Sequence, residues 1–277
     1  MYYGLLGLAG KVSAPSFTGL LDTYTGAAVA YSATRRLRTA YTGSLIRVRR
    51  SSDNAEQDIG YTAGNVLDES ALTSFAGAGN GFITTWYDQS GNGKNLTQST
   101  AINQPKIVNS GSIYFVNSKP SIYNNTTTGR LIENTLNLSQ PITIFTVLKP
   151  DSKFFNLYMD AYNTGNRHYI ARGTSLNGFS ATTDLNFDTF NTNQVILTVL
   201  SNSTSSKTYV NNTLSNSGNA GTNGLNGISL FDIRGVSPVV PGYDYDGYAQ
   251  ELIIYPSNND SNSSNIQGNI NTFYTIY

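Results

Sequence analysis

The sequence predicts an all-β protein built as an antiparallel sandwich, and three observations support that prediction. Short runs rich in β-branched and aromatic residues recur along most of the chain. Turns containing Gly and Asn separate these runs at the spacing that is typical of sandwiches and barrels. Sandwiches of this length, 277 residues, commonly form one domain, and neither a repeat nor a Pro-rich or charged linker divides the chain. We therefore predict a single β-sandwich domain over residues 20–277.

The first part of this domain is predicted to mix helix and strand. Leu20–Leu45 contains the alanine-rich segment that best suits a short helix. Within Leu45–Arg49, arginine recurs at every second position, which predicts a strand with arginines along one face. Asp68–Phe75 has the residues to cap and start one helical turn.

Strands are predicted for most of the remaining chain. Phe82–Tyr87 is a short β-prone run that contains the only tryptophan, Trp86. Ile142–Leu148 is almost entirely β-branched or apolar, which indicates a buried strand. Apolar residues at helical spacing in Ser261–Tyr277 predict a short closing helix. The further predicted strands are Ile107–Val116, Ser121–Tyr123, Asn156–Tyr162, Arg167–Arg172, Gly178–Ala181, Val195–Leu200, Lys207–Val210 and Gly247–Tyr255.

The composition excludes several classes of function. Charged residues make up 12% of the chain, against about 25% in an average protein, and 17 basic side chains balance 17 acidic ones. We therefore predict no nucleic-acid partner, because such proteins carry a basic excess. The absence of cysteine excludes disulfides and thiolate metal sites. A single histidine, His168, gives little support to a Ser-His-Asp triad, and no apolar run is long enough for a transmembrane helix.

The loop Asp88–Gly93 follows the predicted strand of Trp86 and has two interpretations. Its two glycines and Asn92 offer positions for positive φ angles, as in a tight turn. In one interpretation, Asp88 and Asn92 cap backbone amides of a structural turn. In the other, Trp86, Asp88 and Asn92 bind a ligand at a rigid sheet edge. The side-chain oxygens of Asp88 and Asn92 would suit Ca²⁺, but no motif supports a calcium site, so we predict no cofactor and assign no metal ligands.

Two further segments are predicted to make contacts outside the sandwich. Residues 1–19 begin with an apolar stretch that lacks the basic start of a secretory signal, which favours an N-terminal docking arm. Leu5, Leu6 and Leu8 would then contact a neighbouring subunit or a larger assembly, and the alternative is an edge strand packed on its own domain. Such an arm and the open sandwich edges favour a homo-oligomer.

The second segment is a tyrosine-rich loop near the end of the chain. Tyr243 and Tyr245 flank Asp244 beside glycine, which predicts an exposed loop for stacking on sugars or for binding a cation. Strand propensity accounts for most of the other tyrosines. We therefore assign these three residues to ligand binding.

The first part of the chain resembles the β-sandwich catalytic domain of α-L-arabinofuranosidase B-type enzymes. The segments that carry the resemblance are Ser32–Leu37, Tyr41–Gly43, Arg49–Asp53, Tyr87–Gly93 and Leu96–Gln98. The resemblance implies a concanavalin-like, laminin-G-like jelly roll of two antiparallel sheets, with one or two short helices and a concave sheet that binds sugars.

The resemblance also implies candidate catalytic residues. Enzymes of this family hydrolyse with retention, which requires two carboxylates about 5–5.5 Å apart. Their nucleophile is a Glu in a Met-Glu-Ala context, and the nearest segment here is Met159-Asp160-Ala161. Asp160 is therefore the candidate nucleophile, and Asp232 or Asp244 the candidate acid/base. The family's vicinal cysteine pair has no counterpart in this chain.

The sequence is also similar to proteins encoded by tailed bacteriophages, in the segments Leu20–Asp22, Leu37–Gly43 and Trp86–Gly93. We therefore predict a non-enzymatic structural component of a bacteriophage virion, a decoration or fibre protein at the virion surface. Its arm would contact other virion proteins, and its lectin-like sandwich would bind host or environmental glycans. The alternatives are a retaining glycoside hydrolase, either arabinofuranosidase-like or a polysaccharide depolymerase, and a bare scaffold without a ligand.

Overall fold

The structure, a computed structural model, describes residues 17–126, 128–151, 156–163, 167–172, 178–187, 192–232 and 245–277. Over these ranges the chain is mostly β-strand, so the all-β prediction is confirmed. The helices are α1 (Leu20–Thr23), α2 (Glu69–Ala76) and α3 (Asp260–Tyr274). The strands are β1 (Val29–Ser32), β2 (Ile46–Arg50), β3 (Glu56–Ile59), β4 (Gly81–Trp86), β5 (Leu96–Thr97), β6 (Lys106–Asn109), β7 (Ser112–Ile113), β8 (Phe115–Val116), β9 (Lys119–Pro120), β10 (Ile122–Asn124), β11 (Leu131–Leu138), β12 (Ile142–Pro150), β13 (Asn156–Asp160), β14 (Tyr169–Arg172), β15 (Gly178–Ser180), β16 (Asp184–Asn186), β17 (Val195–Ser201), β18 (Ser206–Val210), β19 (Thr213–Gly218), β20 (Leu225–Leu230) and β21 (Gly247–Tyr255).

The described strands pair antiparallel in one continuous network, apart from the separate ribbon of β8 and β9. Strand β4 joins two branches, since it pairs with β2 and β5 in one branch and with β6 in the other. The first branch runs β3, β2, β4, β5, β11, β20, β13, β14, β15, β16. The second runs β7, β6, β10, β21, β12, β17, β18, β19, with β1 also paired to β21. The result is a nearly closed, sandwich- or barrel-like sheet, and the division into two separate sheets is not confirmed.

Side chains alternate between the core and the opposite face along the first branch. In β2, Ile46 and Val48 are buried, whereas Arg47 and Arg49 are only half-buried, as the arginine spacing predicts. The main core contains residues from both branches, including Trp86 of β4 and Met159 of β13. Each large apolar side chain buried in this way contributes about 1.5–3 kcal/mol.

A second buried cluster lies under the closing helix. Ile266, Ile270 and Tyr274 recur every fourth residue along α3 and join this cluster with Phe145 of β12 and Tyr255 of β21. The ring centroids of Phe145 and Tyr255 are 6.0 Å apart in an edge-to-face arrangement. Since the buried side chains follow a helical period, the prediction of a closing helix is confirmed.

The alanine-rich segment differs from its prediction. Helix α1 ends at Thr23, and Val29–Ser32 forms the fully buried strand β1 paired with β21. Small side chains such as Ala30 allow this buried strand to pack closely on both faces, so tertiary pairing overrides helix propensity. The helical turn near Asp68 does form, as α2, and the Asp68 carboxylate accepts a hydrogen bond from the Ala71 amide at 2.9 Å.

The predicted docking arm covers residues 1–19, and residues 1–16, which include Leu5, Leu6 and Leu8, lie outside the described residues. Its contacts therefore remain a prediction. Among the helices that the structure describes, none is long and apolar enough to cross a membrane.

Candidate active site

Asp160 is the last residue of β13 and lies opposite Ser229 of β20. The preceding residue, Met159, packs in the main core, and the Asp160 carboxylate is fully buried. Its Oδ1 atom accepts the Ala161 amide at 2.9 Å and the His168 amide at 3.3 Å. Its Oδ2 atom lies 2.7 Å from Nε of Arg167. Backbone amides and a guanidinium together compensate the loss of water around this carboxylate.

Arg167 and His168 enclose Asp160 but differ in exposure. The Arg167 side chain is 27% exposed, and its guanidinium lies 4.7 Å from the centre of the Tyr169 ring. The His168 ring is fully buried 4.8 Å from Phe179, with Nδ1 3.3 Å from the carbonyl oxygen of Asn223. Burial lowers the pKa of His168 to about 4, so its imidazole is neutral at pH 7. His168 is therefore part of the packed wall behind Asp160.

Asp232, the second candidate carboxylate, follows the end of β20 and is also buried. Its Oδ2 atom lies 3.6 Å from Nη1 of Arg130. The Phe231 amide donates to the carbonyl oxygen of Tyr158, but Phe231 has a φ of 73°, so the chain leaves the extended strand conformation before Asp232.

Glu251 of β21, another buried carboxylate, belongs to a separate structural network. Its two oxygens accept hydrogen bonds from Nε and Nη2 of Arg35, each at 2.8 Å, and the Tyr274 hydroxyl lies 3.1 Å away. Burial and the charge of Glu251 raise the pKa of Tyr274 well above its usual value. Because this bidentate pair ties β21 to α3 and to the segment after β1, Glu251 is engaged in holding the fold.

The loop Asp88–Lys94, which follows Trp86 and is called the clasp below, is held in place by hydrogen bonds. The Asp88 carboxylate accepts the amides of Ala30, Ser90 and Lys94 at 2.9, 2.9 and 3.1 Å, and the Ser90 hydroxyl at 2.8 Å. The neighbouring Gln89 side chain accepts the Leu37 amide at 2.7 Å. These contacts agree with the structural-turn interpretation of Asp88, because every described partner belongs to the scaffold.

Asn92 and Trp86 support the same clasp from two sides. The Asn92 amide group donates to the carbonyl oxygens of Ala27 and Ala28, at 3.1 and 2.9 Å. Asn92 also lines a cleft of about 660 Å³ together with Arg38 and Lys94. Trp86 is fully buried with its ring centre 5.7 Å from that of Tyr31, so it presents no face to solvent.

Tyr245 lies in the interior, whereas its predicted partners Tyr243 and Asp244 lie outside the described residues. The Tyr245 side chain stacks on Phe231 at 5.6 Å with an angle of 17° between the rings. Its hydroxyl donates to the carbonyl oxygen of Tyr248 at 3.1 Å. Only 1% of Tyr245 is exposed, which places it in the aromatic packing that supports Asp232.

Three residues beside the two candidate carboxylates were not found by sequence reasoning. Arg167 and Arg130 pair with the two candidate carboxylates, and Ser229 lies directly opposite Asp160. No local pattern marks them, because each reaches its partner only through the pairing of strands. Within the described ranges, no group of three or more His, Asp or Glu side chains is arranged to hold a metal ion.

The sequence comparisons point to one family of enzymes. The family model described as "Alpha-L-arabinofuranosidase B, catalytic" matches residues 22–119. Alpha-L-arabinofuranosidase B of Aspergillus niger is 42% identical over 99 residues, which are 34% of this chain and 19% of that protein. The enzyme of the same name from Aspergillus oryzae is 41% identical over 101 residues, 35% of this chain and 19% of that protein. The chain thus aligns with about a fifth of the length of these relatives.

The structural comparisons extend the likeness of the fold beyond residues 22–119. An arabinofuranosidase complexed with arabinofuranosyl-alpha-1,2-xylobiose has a TM-score of 0.65 at 20% identity, covering 88% of this chain and 62% of that one. A GH54 α-L-arabinofuranosidase soaked with a cyclic sulfate inhibitor has a TM-score of 0.64 at 19% identity, covering 91% and 64%. At this identity the likeness establishes the fold.

These findings correct the prediction of a bacteriophage structural protein. The matching family and the curated relatives are named as arabinofuranosidases, which are glycoside hydrolases. The virion role is therefore wrong, and a location at the virion surface has no support. The chain is similar to the α-L-arabinofuranosidase B catalytic domain in sequence over residues 22–119, and in fold over most of its length.

Proposed function

We propose that the chain is a glycoside hydrolase of the α-L-arabinofuranosidase type. The observation that supports this most is the 42% identity over 99 residues with an enzyme of that name. The proposal includes a two-sheet, concanavalin-like jelly roll as the final architecture. It also includes an extracellular location, because polysaccharide substrates are too large to enter a cell. The chemistry requires two carboxylates and no cofactor.

Asp160 is the nucleophile in this proposal. Two backbone amides hold its Oδ1 atom, so Oδ2 is the oxygen that faces the anomeric carbon of the sugar. The Arg167 guanidinium, whose Nε lies 2.7 Å from Oδ2, offers a positive charge opposite the carboxylate that acts as the nucleophile. Since the Arg167 side chain is partly exposed, it turns toward solvent when the sugar enters. Attack then forms a glycosyl ester on Asp160 and releases the leaving group.

Asp232 is the described candidate for the second carboxylate, which protonates the leaving oxygen and later activates water. Its Oδ2 atom lies 3.6 Å from Nη1 of Arg130, which helps to orient the carboxyl group. In this proposal the two carboxylates act on one sugar, Asp160 from the end of β13 and Asp232 from the segment that follows β20. Asp244, the other candidate for this role, lies outside the described residues.

Release of 4-nitrophenol from 4-nitrophenyl α-L-arabinofuranoside tests the proposal. We expect hydrolysis by the wild-type chain and a loss of at least about 10³-fold in kcat for Asp160→Asn, because the amide is not a nucleophile. Asp53→Asn removes an exposed carboxylate elsewhere and serves as the matched control. An inactive wild-type chain, or an active Asp160→Asn variant, would contradict the assignment.

A further inference from the structure

A row of cationic and aromatic side chains crosses the sheet from β2 to β12. Directly paired residues in antiparallel strands lie on the same face. Five successive pairs connect the members of the row, which are Arg49, Phe82, Lys106, Tyr123, Tyr248 and Lys149. Their neighbours in the same strands, such as Val48, Ile107 and Ile122, face the main core. The members of the row are all half-buried, so the row lies on the face turned away from the core.

The charged and aromatic groups of this row contact one another. The guanidinium carbon of Arg49 lies 4.5 Å from the centre of the Phe82 ring, and Nζ of Lys106 lies 5.9 Å from the same centre. The Tyr123 ring stacks on that of Tyr248, with 4.5 Å between the ring centres and 23° between the planes. Because a cation within about 6 Å of an aromatic centre is attracted to the ring, these contacts hold the side chains of the row in place.

A cleft of about 400 Å³ opens over one end of the row. Its volume is in the range of about 300–1,000 Å³ that is usual for ligand sites. The members of the row that line the cleft are Arg49, Phe82, Lys106 and Tyr123. Ile102, in the turn Ala101–Asn103, also lines the cleft and is 76% exposed. An apolar side chain that is so exposed beside aromatic rings is suited to cover the apolar part of a ligand.

Neither cation of the cleft forms an ion pair within the described ranges. Nε of Arg49 donates to Oε1 of Gln104 at 2.7 Å, and Nη1 donates to Oδ1 of Asn54 at 2.8 Å, so neutral groups hold the guanidinium. The Lys106 ammonium makes no side-chain hydrogen bond in the part of the chain that the structure describes. It is therefore available to an anion, and a single ammonium suits a single carboxylate.

We propose that this cleft binds a small aromatic carboxylate. The carboxylate pairs with the ammonium of Lys106, and the aromatic ring packs against the side chains of Phe82, Tyr123 and Ile102. No Asp or Glu is among the described residues that line the cleft, so the bound anion meets no like charge there. The proposal does not rest on the proposed function, because none of the candidate catalytic residues is among these lining residues.

Calorimetric titration of the full chain with 2-naphthoate tests the proposal. The amide 2-naphthamide has the same rings without the charge, and decahydro-2-naphthoate has the charge without the aromatic rings. Lys106→Met removes the ammonium. Lys149→Met is the matched control, because Lys149 is a half-buried lysine of the same row that does not line the cleft and lies 5.1 Å from the centre of the Tyr248 ring. Ile102→Ser removes the apolar wall, and Leu214→Ser, at an exposed leucine of β19, is its control.

We expect Lys106→Met to weaken the binding of 2-naphthoate about tenfold, the effect of losing one hydrogen bond to a charged group. Ile102→Ser should weaken it about threefold, because less apolar surface is buried. Lys149→Met and Leu214→Ser should bind 2-naphthoate as the wild-type chain does. The amide and the saturated acid should each bind the wild-type chain more weakly than 2-naphthoate does.

Equal binding of 2-naphthoate by the Lys106→Met and Lys149→Met variants would overturn the proposal. The same holds for a preference for the amide or the saturated acid, and for a wild-type chain that does not bind 2-naphthoate. Tighter binding of adenosine monophosphate than of 2-naphthoate would overturn the assignment to a carboxylate, since it would indicate a phosphate site. Because no hydrolysis is measured, this result is separate from that of the 4-nitrophenyl assay.

Discussion

Asp88 and Asp160 are both buried carboxylates, but their surroundings differ in one respect. The described donors to Asp88 are three backbone amides and one hydroxyl, all held by the clasp. Asp160 accepts two amides on one oxygen and meets the partly exposed Arg167 guanidinium with the other. A backbone amide cannot move away, whereas an arginine side chain can. Asp88 is therefore fixed as a structural group, whereas Oδ2 of Asp160 lies beside a side chain that can move.

The two carboxylates also differ in their position relative to the segment that is similar in sequence to known enzymes. Residues 22–119, the part that matches the arabinofuranosidase family, contain Asp88 and the clasp. Asp160, Arg167 and Ser229 fall outside that segment, where the likeness is one of fold at 19–20% identity. The strongest sequence match thus marks a scaffold element and not the candidate chemistry. For this reason activity must be tested at Asp160 directly.

The largest predicted effect is that of Asp88→Ala on stability. The substitution leaves three backbone amides without their acceptor, and each unsatisfied buried group costs about 1–3 kcal/mol. We expect the free energy of unfolding to fall by about 4 kcal/mol, measured by urea denaturation. The exposed carboxylate Asp53, replaced by Ala, is the control and should change stability much less. A loss below about 1 kcal/mol for Asp88→Ala would contradict the clasp as a structural element.

The next largest effect is expected in the pH dependence of the free energy of unfolding, and it arises from His168. Burial lowers its pKa to about 4, whereas in the unfolded chain it is about 6.5. Well above pH 6.5 the ring is neutral in the folded and in the unfolded chain, so it does not change the free energy of unfolding with pH. As the pH falls toward 4, the unfolded chain gains a proton that the folded chain does not, so stability decreases by about 3 kcal/mol.

Urea denaturation at pH 7 and at pH 4.5, with His168→Gln for comparison, measures this contribution. The glutamine variant should lose less stability between these values, because its side chain does not titrate. Carboxylates contribute equally to both chains and cancel in the comparison. Identical pH dependence of the two chains would show that His168 is accessible to protons in the folded state.

The clasp was largely predictable from the sequence, whereas the surroundings of Asp160 were not. Gly91 and Gly93 adopt φ angles of 97° and 70°, as expected from a Gly- and Asn-rich turn. Such a turn is encoded by adjacent residues, so local patterns reveal it. The pairing of Asp160 with Ser229 joins residues far apart in the chain, and a strand pattern does not specify its partner.

Two predictions from the sequence were wrong for the same physical reason. Val29–Ser32 contains alanines that favour a helix locally, yet pairing with β21 makes it a buried strand. Tyr245 lies beside Asp and Gly, as exposed loop residues do, yet Phe231 and Tyr158 enclose its ring. In both cases contacts with residues far away in the chain determine whether the segment is buried, and the local sequence does not reveal those contacts.

A smaller effect on stability is expected for Asp160→Asn than for the same exchange at Asp88. The asparagine oxygen at position 160 can keep the Ala161 and His168 amides, and Arg167 can turn to solvent. At position 88 the new NH₂ group would face a backbone amide donor, that of Lys94, which cannot turn away. We expect a loss of about 1 kcal/mol for Asp160→Asn and clearly more for Asp88→Asn, from urea denaturation. Equal losses would mean that Arg167 is as fixed as the clasp.

The smallest effect is expected on the exposed strand β3, for Glu56→Gln. Glu56 and Arg47 lie 2.7 Å apart, but each side chain is 37% exposed, so water screens the pair. Asp58 also remains to pair with Arg47 at 3.1 Å. We expect the free energy of unfolding to change by less than about 0.5 kcal/mol, and this change to vanish in 1 M salt. A larger loss that persists in salt would indicate that the pair of Glu56 and Arg47 is held as rigidly as Asp88, although water reaches both side chains.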